Sequence, residues 1–274
     1  LIIFTGVVFS GSQTERKAYD RKTLDAILKK TGEYCEKVKA IALFYVCQEK
    51  VHDERYVFSR RNLLNFSMSS DEKIKPRRIR TKTYTYDYQL FKKGEAPKEK
   101  RILLEEDGKE KYEENVELRP VKYHGTYTVY GPVGFLSKKW QQHYEYEIVG
   151  EDIIEDKKAF IIESTPKNER EKNYNFGRIW VDEKDFSILK IELDPRSIKD
   201  YKDELAQSPI GDLSKKVIWT MLFGVEKNGV RFPSQQVIRE LYVNSKGKSL
   251  LMEKITFRYE GYKFFIVETE VKYN

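Results

Sequence analysis

The chain has 274 residues, of which 39% are hydrophobic and 35% charged, and its formal net charge is +7. It is long enough to bury a sizeable core and too apolar to remain disordered. Its 19 tyrosines and 15 phenylalanines, among many Val, Ile and Thr, favour strands, because flat and branched side chains pack well on a pleated surface.

Leu1–Phe9 is an apolar run followed by the small residues Ser10, Gly11 and Ser12. It is too short to span a bilayer as a helix. It reads as the tail of a signal peptide over residues 1–12, with a linker over 13–22 and one domain over 23–274; a buried first strand is the alternative. Leu24, Ile27, Leu28, Thr31, Cys35 and Val38 recur at helical spacing, which predicts a helix over 23–39 with Thr23 as its N-cap and Gly32 as its weak point. A strand over 41–51 follows, with Ile41, Leu43, Tyr45 and Cys47 on one face. Its apolar start is equally compatible with a longer helix. A helix packed on that face brings Cys35 towards Cys47. In the oxidising compartment that export implies, a disulfide between them is expected.

Residues 52–79 are mixed in character and read as an insertion or edge loop. They run into the one basic concentration of the chain, Lys73, Lys75, Arg77, Arg78, Arg80 and Lys82. A solvated run is the plain reading and an anionic head group or nucleic acid the sharper one; elsewhere the charges alternate in sign, and no nucleic-acid partner is assigned. In 81–91, Tyr84, Tyr86, Tyr88 and Leu90 share a face. Asp107 and Gly108 signal a hairpin between 98–105 and 111–118. Residues 135–142 suit two helical turns, pairing Leu136 with Trp140. Strands follow over 144–148, 159–165, 177–182 and 186–193. A second mixed stretch, 195–214, holds a short helix over 197–206. Asn228 and Gly229 join 216–226 to 230–243, and 249–260 and 263–273 complete the strands. Neighbours joined by short turns run antiparallel, so the pattern is a meander with one early helix.

The usual constellations of catalysis are missing: no G-x-S-x-G elbow, no phosphate loop, no C-x-x-C, no H-E-x-x-H. His52, His124 and His143 lack metal-ligand spacing, and Glu145 and Glu147 alternate on a polar face. No catalytic residue, metal or cofactor is therefore assigned. The informative feature is a set of apolar and aromatic stripes: Leu43 and Tyr45; Tyr84, Tyr86 and Tyr88; Tyr144 and Tyr146; Phe265, Val267, Val271 and Tyr273. A helix of that length spans about 25 Å, whereas roughly ten strands span about 45 Å. Either the sheet curls, loops cover the remainder, or a trough stays open to an apolar ligand.

The helix Thr23–Lys39 leading into Ile41–Lys50, the runs Ala159–Lys167 (AFIIESTPK), Arg178–Asp182 (RIWVD) and Phe186–Glu192 (FSILKIE), and the end motifs Asn228–Pro233 (NGVRFP) and Tyr262–Glu270 (YKFFIVETE) carry a resemblance. Together they resemble the LolA/LolB-like lipoprotein-carrier superfamily of outer-membrane lipoprotein-sorting proteins. The resemblance implies an α+β, mainly β fold, a strongly curved antiparallel sheet forming a half-open barrel around the N-terminal helix. It further implies a monomeric periplasmic protein that holds lipid or lipoprotein acyl chains without catalysis or cofactor, and meets a membrane-bound donor or acceptor. The expected trough is lined by Leu43, Tyr45, Tyr84, Tyr86, Tyr88, Tyr144, Tyr146, Phe265 and Val267. An envelope protein-interaction or stress-sensing module on the same scaffold is the second expectation.

Overall fold

The computed structural model describes residues 19–41, 44–68, 74–93, 96–119, 128–168, 175–198 and 212–265. Helix α1 (Arg21–Ile41) opens them, two residues earlier and two later than its periodicity predicts. Asp20, not Thr23, caps it: the Asp20 carboxylate accepts the Thr23 N–H at 2.7 Å. Leu24, Ile27, Leu28, Thr31, Cys35 and Val38 are all buried, as their spacing requires. Ile41 stays helical, so the first strand begins only at Tyr45.

Four strands follow in hairpin order, interrupted by a second helix. They are β1 (Tyr45–Val57), β2 (Arg78–Lys93), β3 (Ala96–Glu106) and β4 (Lys109–Glu114), with α2 (Arg60–Met68) between the first two. The described residues of the stretch 52–79 therefore hold the end of β1, a helix and the start of β2, where a loop was expected. Beyond β4 come a 3-10 turn at Thr128–Tyr130 and two short helices, α3 (Gly131–Leu136) and α4 (Lys138–Gln141). The two turns expected over 135–142 are split at Ser137, whose extended backbone (ψ 150°) ends one helix before the next begins. A second run of strands follows: β5 (Tyr144–Ile154), β6 (Lys157–Pro166), β7 (Gly177–Asp182), β8 (Ile188–Leu193), β9 (Ser214–Leu222), β12 (Gln235–Val243) and β13 (Ser249–Phe264), with a hairpin of β10 (Val225–Lys227) and β11 (Val230–Phe232). Of the helix expected over 197–206, the described residues hold only a 3-10 turn at Pro195–Ser197.

Among the described residues the sheet has eleven strands in the order β4-β3-β2-β1-β13-β12-β9-β8-β7-β6-β5, every pair antiparallel. It is mainly β, open at β4 and β5, and not a closed barrel. Two-residue loops with positive φ at both positions turn two of its hairpins, at Asp107 (49°) and Gly108 (75°) and at Glu155 (47°) and Asp156 (64°), and Asn228 (53°) and Gly229 (70°) turn the separate β10–β11 hairpin in the same way. Register shifts interrupt six pairings, at Gln48, Tyr86, Glu105, Gly150, Val181 and Leu241, and such bulges bend and twist a sheet. The strands expected over 249–260 and 263–273 are continuous as far as Phe264. Gly261 takes φ 64° where β13 slips against β1, so the break between the two expected strands is a bulge. Gly177 has a sharper need: a Cβ there would lie 2.2 Å from the Glu192 carbonyl oxygen.

Helix α1 lies against α3, α4, the β10–β11 hairpin and the edge strand β5. The Tyr34 hydroxyl accepts the Arg231 N–H at 3.0 Å, and the buried Arg231 side chain donates to Ser187 Oγ at 2.7 Å, which ties helix, hairpin and sheet. At Gly32 a Cβ would meet Lys138 Cγ at 3.2 Å and Gln141 Nε2 at 3.3 Å. The glycine that weakens the helix lets α4 close on it, and Gln141 Nε2 then donates to the Leu28 carbonyl at 2.7 Å.

Cys35 and Cys47 are free and buried, so the expected disulfide is absent. The Cys35 thiol faces the Pro132 carbonyl of α3 at 3.5 Å, whereas Cys47 lies on β1 in hydrogen-bond contact with the Tyr262 hydroxyl. The helix meets α3 where a direct contact with β1 was expected. Burial pushes both thiols far above the ordinary cysteine range.

A candidate binding cleft

The connection from β4 to β5 leads from one open edge of the sheet to the other. Its described parts touch one strand after another: the Arg119 N–H donates to the Tyr86 hydroxyl of β2 at 3.2 Å, and Thr128 bonds the Tyr259 hydroxyl of β13. Gly131 sits close against Ile191 of β8, and the Phe135 carbonyl accepts the Tyr146 hydroxyl of β5. With Val129, Phe135 and Leu136 buried, this crossing segment supplies cover that a single helix is too short to give.

Beneath it, period-two alternation sets Tyr45, Cys47, Glu49, Val51 and Asp53 of β1 beside Leu90, Tyr88, Tyr86, Tyr84 and Lys82 of β2. Tyr45, Tyr84, Tyr86 and Tyr88 are buried, at 2%, 6%, 0% and 3% exposure. Glu49 is also fully buried and receives Arg101 of β3 through Nε at 2.6 Å and NH2 at 3.2 Å. Arg101 lies 4.7 Å over the Tyr88 ring and approaches Glu99, which accepts the Tyr88 hydroxyl at 2.6 Å. Desolvation would lower the Arg101 pKa, but the Glu49 and Glu99 carboxylates hold it above its ordinary value. Burial pushes the Tyr45, Tyr88, Tyr259 and Tyr262 phenols well above the usual range. This part of the face is a packed polar and aromatic core.

The open space lies at the other edge. A cleft of about 780 Å³ separates the first half of α1 from α4 and β5, within the size range of ligand sites. The helix periodicity aligns Arg21, Asp25, Leu28 and Lys29 along one wall; Lys138, Gln141, Gln142 and Lys167 form the other. Leu28, Tyr144 and Tyr146 form the apolar part of its lining, and Phe135 stacks on Tyr144 at 6.3 Å. Four cations and two carboxylates, Asp25 and Glu145, line the walls. Arg21 pairs with Asp25 at 3.0 Å and Lys167 donates to the Gln142 carbonyl at 3.0 Å. Lys29 and Lys138 make no ion pair among the described residues. Burial raises the Tyr146 phenol, which stays neutral and donates to the Phe135 carbonyl.

The nine residues expected to line one trough thus fall into separate places. Tyr45, Tyr84, Tyr86 and Tyr88 lie in the packed core, Tyr144 and Tyr146 line the cleft, and Phe265 is 57% exposed beyond the end of β13. Leu43 and Val267 lie outside the described residues, as does His124. His52 stands 3.9 Å from Glu54, and His143 packs beside Trp140. Among the described residues no group of three or more His, Cys, Asp or Glu side chains is placed to hold a metal ion. No helix among them is long and apolar enough to cross a membrane.

A family model described as an uncharacterized protein matches residues 125–218. No curated protein matches the chain. Among solved structures the chain is similar to an outer membrane lipoprotein-sorting protein domain from Vibrio parahaemolyticus, at 10% identity and TM-score 0.41, covering 89% of this chain and 95% of that one. It is similar to a DUF1329 family protein from Desulfovibrio piger at 12% identity and TM-score 0.40, covering 89% and 94%. A LolA superfamily protein from Nitrosomonas europaea aligns at 10% identity and TM-score 0.33, again over 89% and 94%. These likenesses assign no role to any residue.

Proposed function

We propose that the protein binds an amphipathic ligand, a lipid or the acyl end of a lipoprotein, in the cleft between α1, α4 and β5, and acts as a periplasmic carrier. One observation carries this reading: Leu28, Tyr144 and Tyr146 line a cleft whose cations outnumber its carboxylates by four to two. An apolar group gains by covering the ring faces, while an anionic group is drawn to Lys29 and Lys138, which make no ion pair among the described residues. Native mass spectrometry and lipid extraction of the purified protein, with uptake of a fluorescent fatty acid, test the proposal. Co-purifying lipid is expected, together with weakened uptake in Lys29→Glu/Lys138→Glu. Reproducible absence of both lipid and uptake overturns it.

A second reading, a protein-interaction module, draws on β5 being a terminal strand of the sheet beside the same cleft. An extended peptide pairing with that edge would gain main-chain hydrogen bonds. Under this reading a captured polypeptide, and no lipid, accompanies the protein.

A further inference from the structure

The basic run singled out in the sequence is part of a larger surface. Helix α2 follows β1 and is held at that end of the sheet by two anchors. Asn62 Nδ2 donates to the Lys75 carbonyl at 3.2 Å, and Asn244, just beyond β12, donates to the Phe66 carbonyl at 3.0 Å. The helix buries Leu63 and Phe66. Arg60, Leu64 and Met68, spaced four apart, lie along its opposite, exposed face, with Arg61 beside them. Leu64 is 39% and Met68 74% exposed, and Ile79 at the start of β2 is 51% exposed. Three of the six large exposed hydrophobic residues among those described therefore gather at this one end.

Lys75, Arg77, Arg78 and Arg80, on the chain leading into β2 and at its start, are all exposed, with Arg78 and Arg80 on the sheet face opposite Ile79 at the same end of the strand. The Arg77 N–H donates to the Val57 carbonyl at 2.7 Å, and Arg78 and Arg80 pair across from Val57 and Arg55, which fixes the run beside α2. Among the described residues these four, with Arg60 and Arg61, make no ion pair. Lys82, two residues further along, is by contrast bound to Asp107 at 2.6 Å. Unpaired cations interleaved with exposed aliphatic side chains match a surface of anionic head groups over hydrocarbon: the cations meet phosphate while Leu64, Met68 and Ile79 enter the acyl boundary. Single-stranded nucleic acid would use the cations but gains most from exposed aromatic platforms, and the exposed apolar members here are aliphatic.

We propose that this end of the molecule docks on an anionic lipid bilayer, with α2 lying in the interface. The proposal is independent of the cleft, which lies at the β5 edge. Sedimentation of the full chain with vesicles of phosphatidylglycerol and phosphatidylcholine, against phosphatidylcholine alone, tests it. Binding only to the anionic vesicles is expected, weakening as salt is raised. Arg60→Gln/Arg77→Gln/Arg80→Gln should weaken it roughly a hundredfold, at roughly fivefold per cation removed. Leu64→Ser/Met68→Ser should weaken it about tenfold or more. Both variants change exposed side chains and should keep the parent's thermal transition. Equal binding to both vesicle types, undiminished binding by the triple variant, or tight binding of a single-stranded oligonucleotide with none to vesicles overturns the proposal.

Discussion

Replacing Arg101 by Met would leave Glu49 buried with its guanidinium partner gone. Arg101 is 13% exposed and Glu49 0%, so water reaches neither side chain enough to compensate. Two charge-assisted hydrogen bonds, at 2.6 and 3.2 Å, would be lost, along with the stacking over Tyr88. Breaking one side of a buried pair costs about 3–5 kcal/mol, because the remaining charge stays desolvated. That is a large share of the roughly 5–15 kcal/mol by which a domain is stable. Replacing both partners, Glu49→Leu with Arg101→Met, should restore stability to within about 1–2 kcal/mol of the parent, since an apolar pair removes the desolvated charges. Equilibrium unfolding in urea, followed by tryptophan fluorescence, measures all three proteins. A single-variant loss below about 1 kcal/mol, or a double variant no more stable than the single one, would refute the reasoning.

Two further outcomes follow from buried groups. Cys35 and Cys47 should react with a thiol reagent only after unfolding, because burial keeps both protonated and covered; a native mass two hydrogens lighter, the mark of a disulfide, would contradict this. Burial raises the Asp53 pKa, an effect the Arg55 guanidinium offsets only in part. The native state then binds this proton more readily than the unfolded chain, so the site opposes folding at neutral pH. That cost is relieved as pH falls through the raised value towards 3.8. Asp53→Asn should therefore stabilise the protein at pH 7 and lose that advantage in acid; a stability difference independent of pH would rule out the mechanism.

The sequence showed the fold through periodicity. The helix face from Leu24 to Val38, the tyrosine stripe of β2 and the Asp107–Gly108 and Asn228–Gly229 turns each depend on local backbone preference, and local preference is what a chain displays. Pairing of distant segments was hidden. Nothing near Cys35 announces that α3 will stand opposite it, and the same gap made a disulfide look natural. The break between the strands expected over 249–260 and 263–273 is a bulge at Gly261, because positive φ at a glycine can displace a strand without turning it back. The buried charges were partly legible: extending the Tyr45, Cys47 alternation by one step places Glu49 inward. Its partner was not, because Arg101 reaches it only through the β2–β3 register. Of the cleft, Tyr144 and Tyr146 were visible as a stripe, whereas Lys29, Lys138 and Lys167 come together only when the crossing segment delivers α4 and β5 to the helix.

That β1 and β13 are neighbours in the middle of the sheet has a consequence for biosynthesis. Lys50 and Glu260, bonded at 2.7 Å across this pair, are 210 residues apart in the chain. Once made, β1 can pair with β2, but its other edge must wait until every strand from β3 to β12 has been made and β13 follows. An uncovered edge offers unpaired N–H and C=O groups to any passing strand, and contacts so distant in sequence form slowly. The nascent chain thus carries an adhesive seam down its centre, closed only by its last described strand.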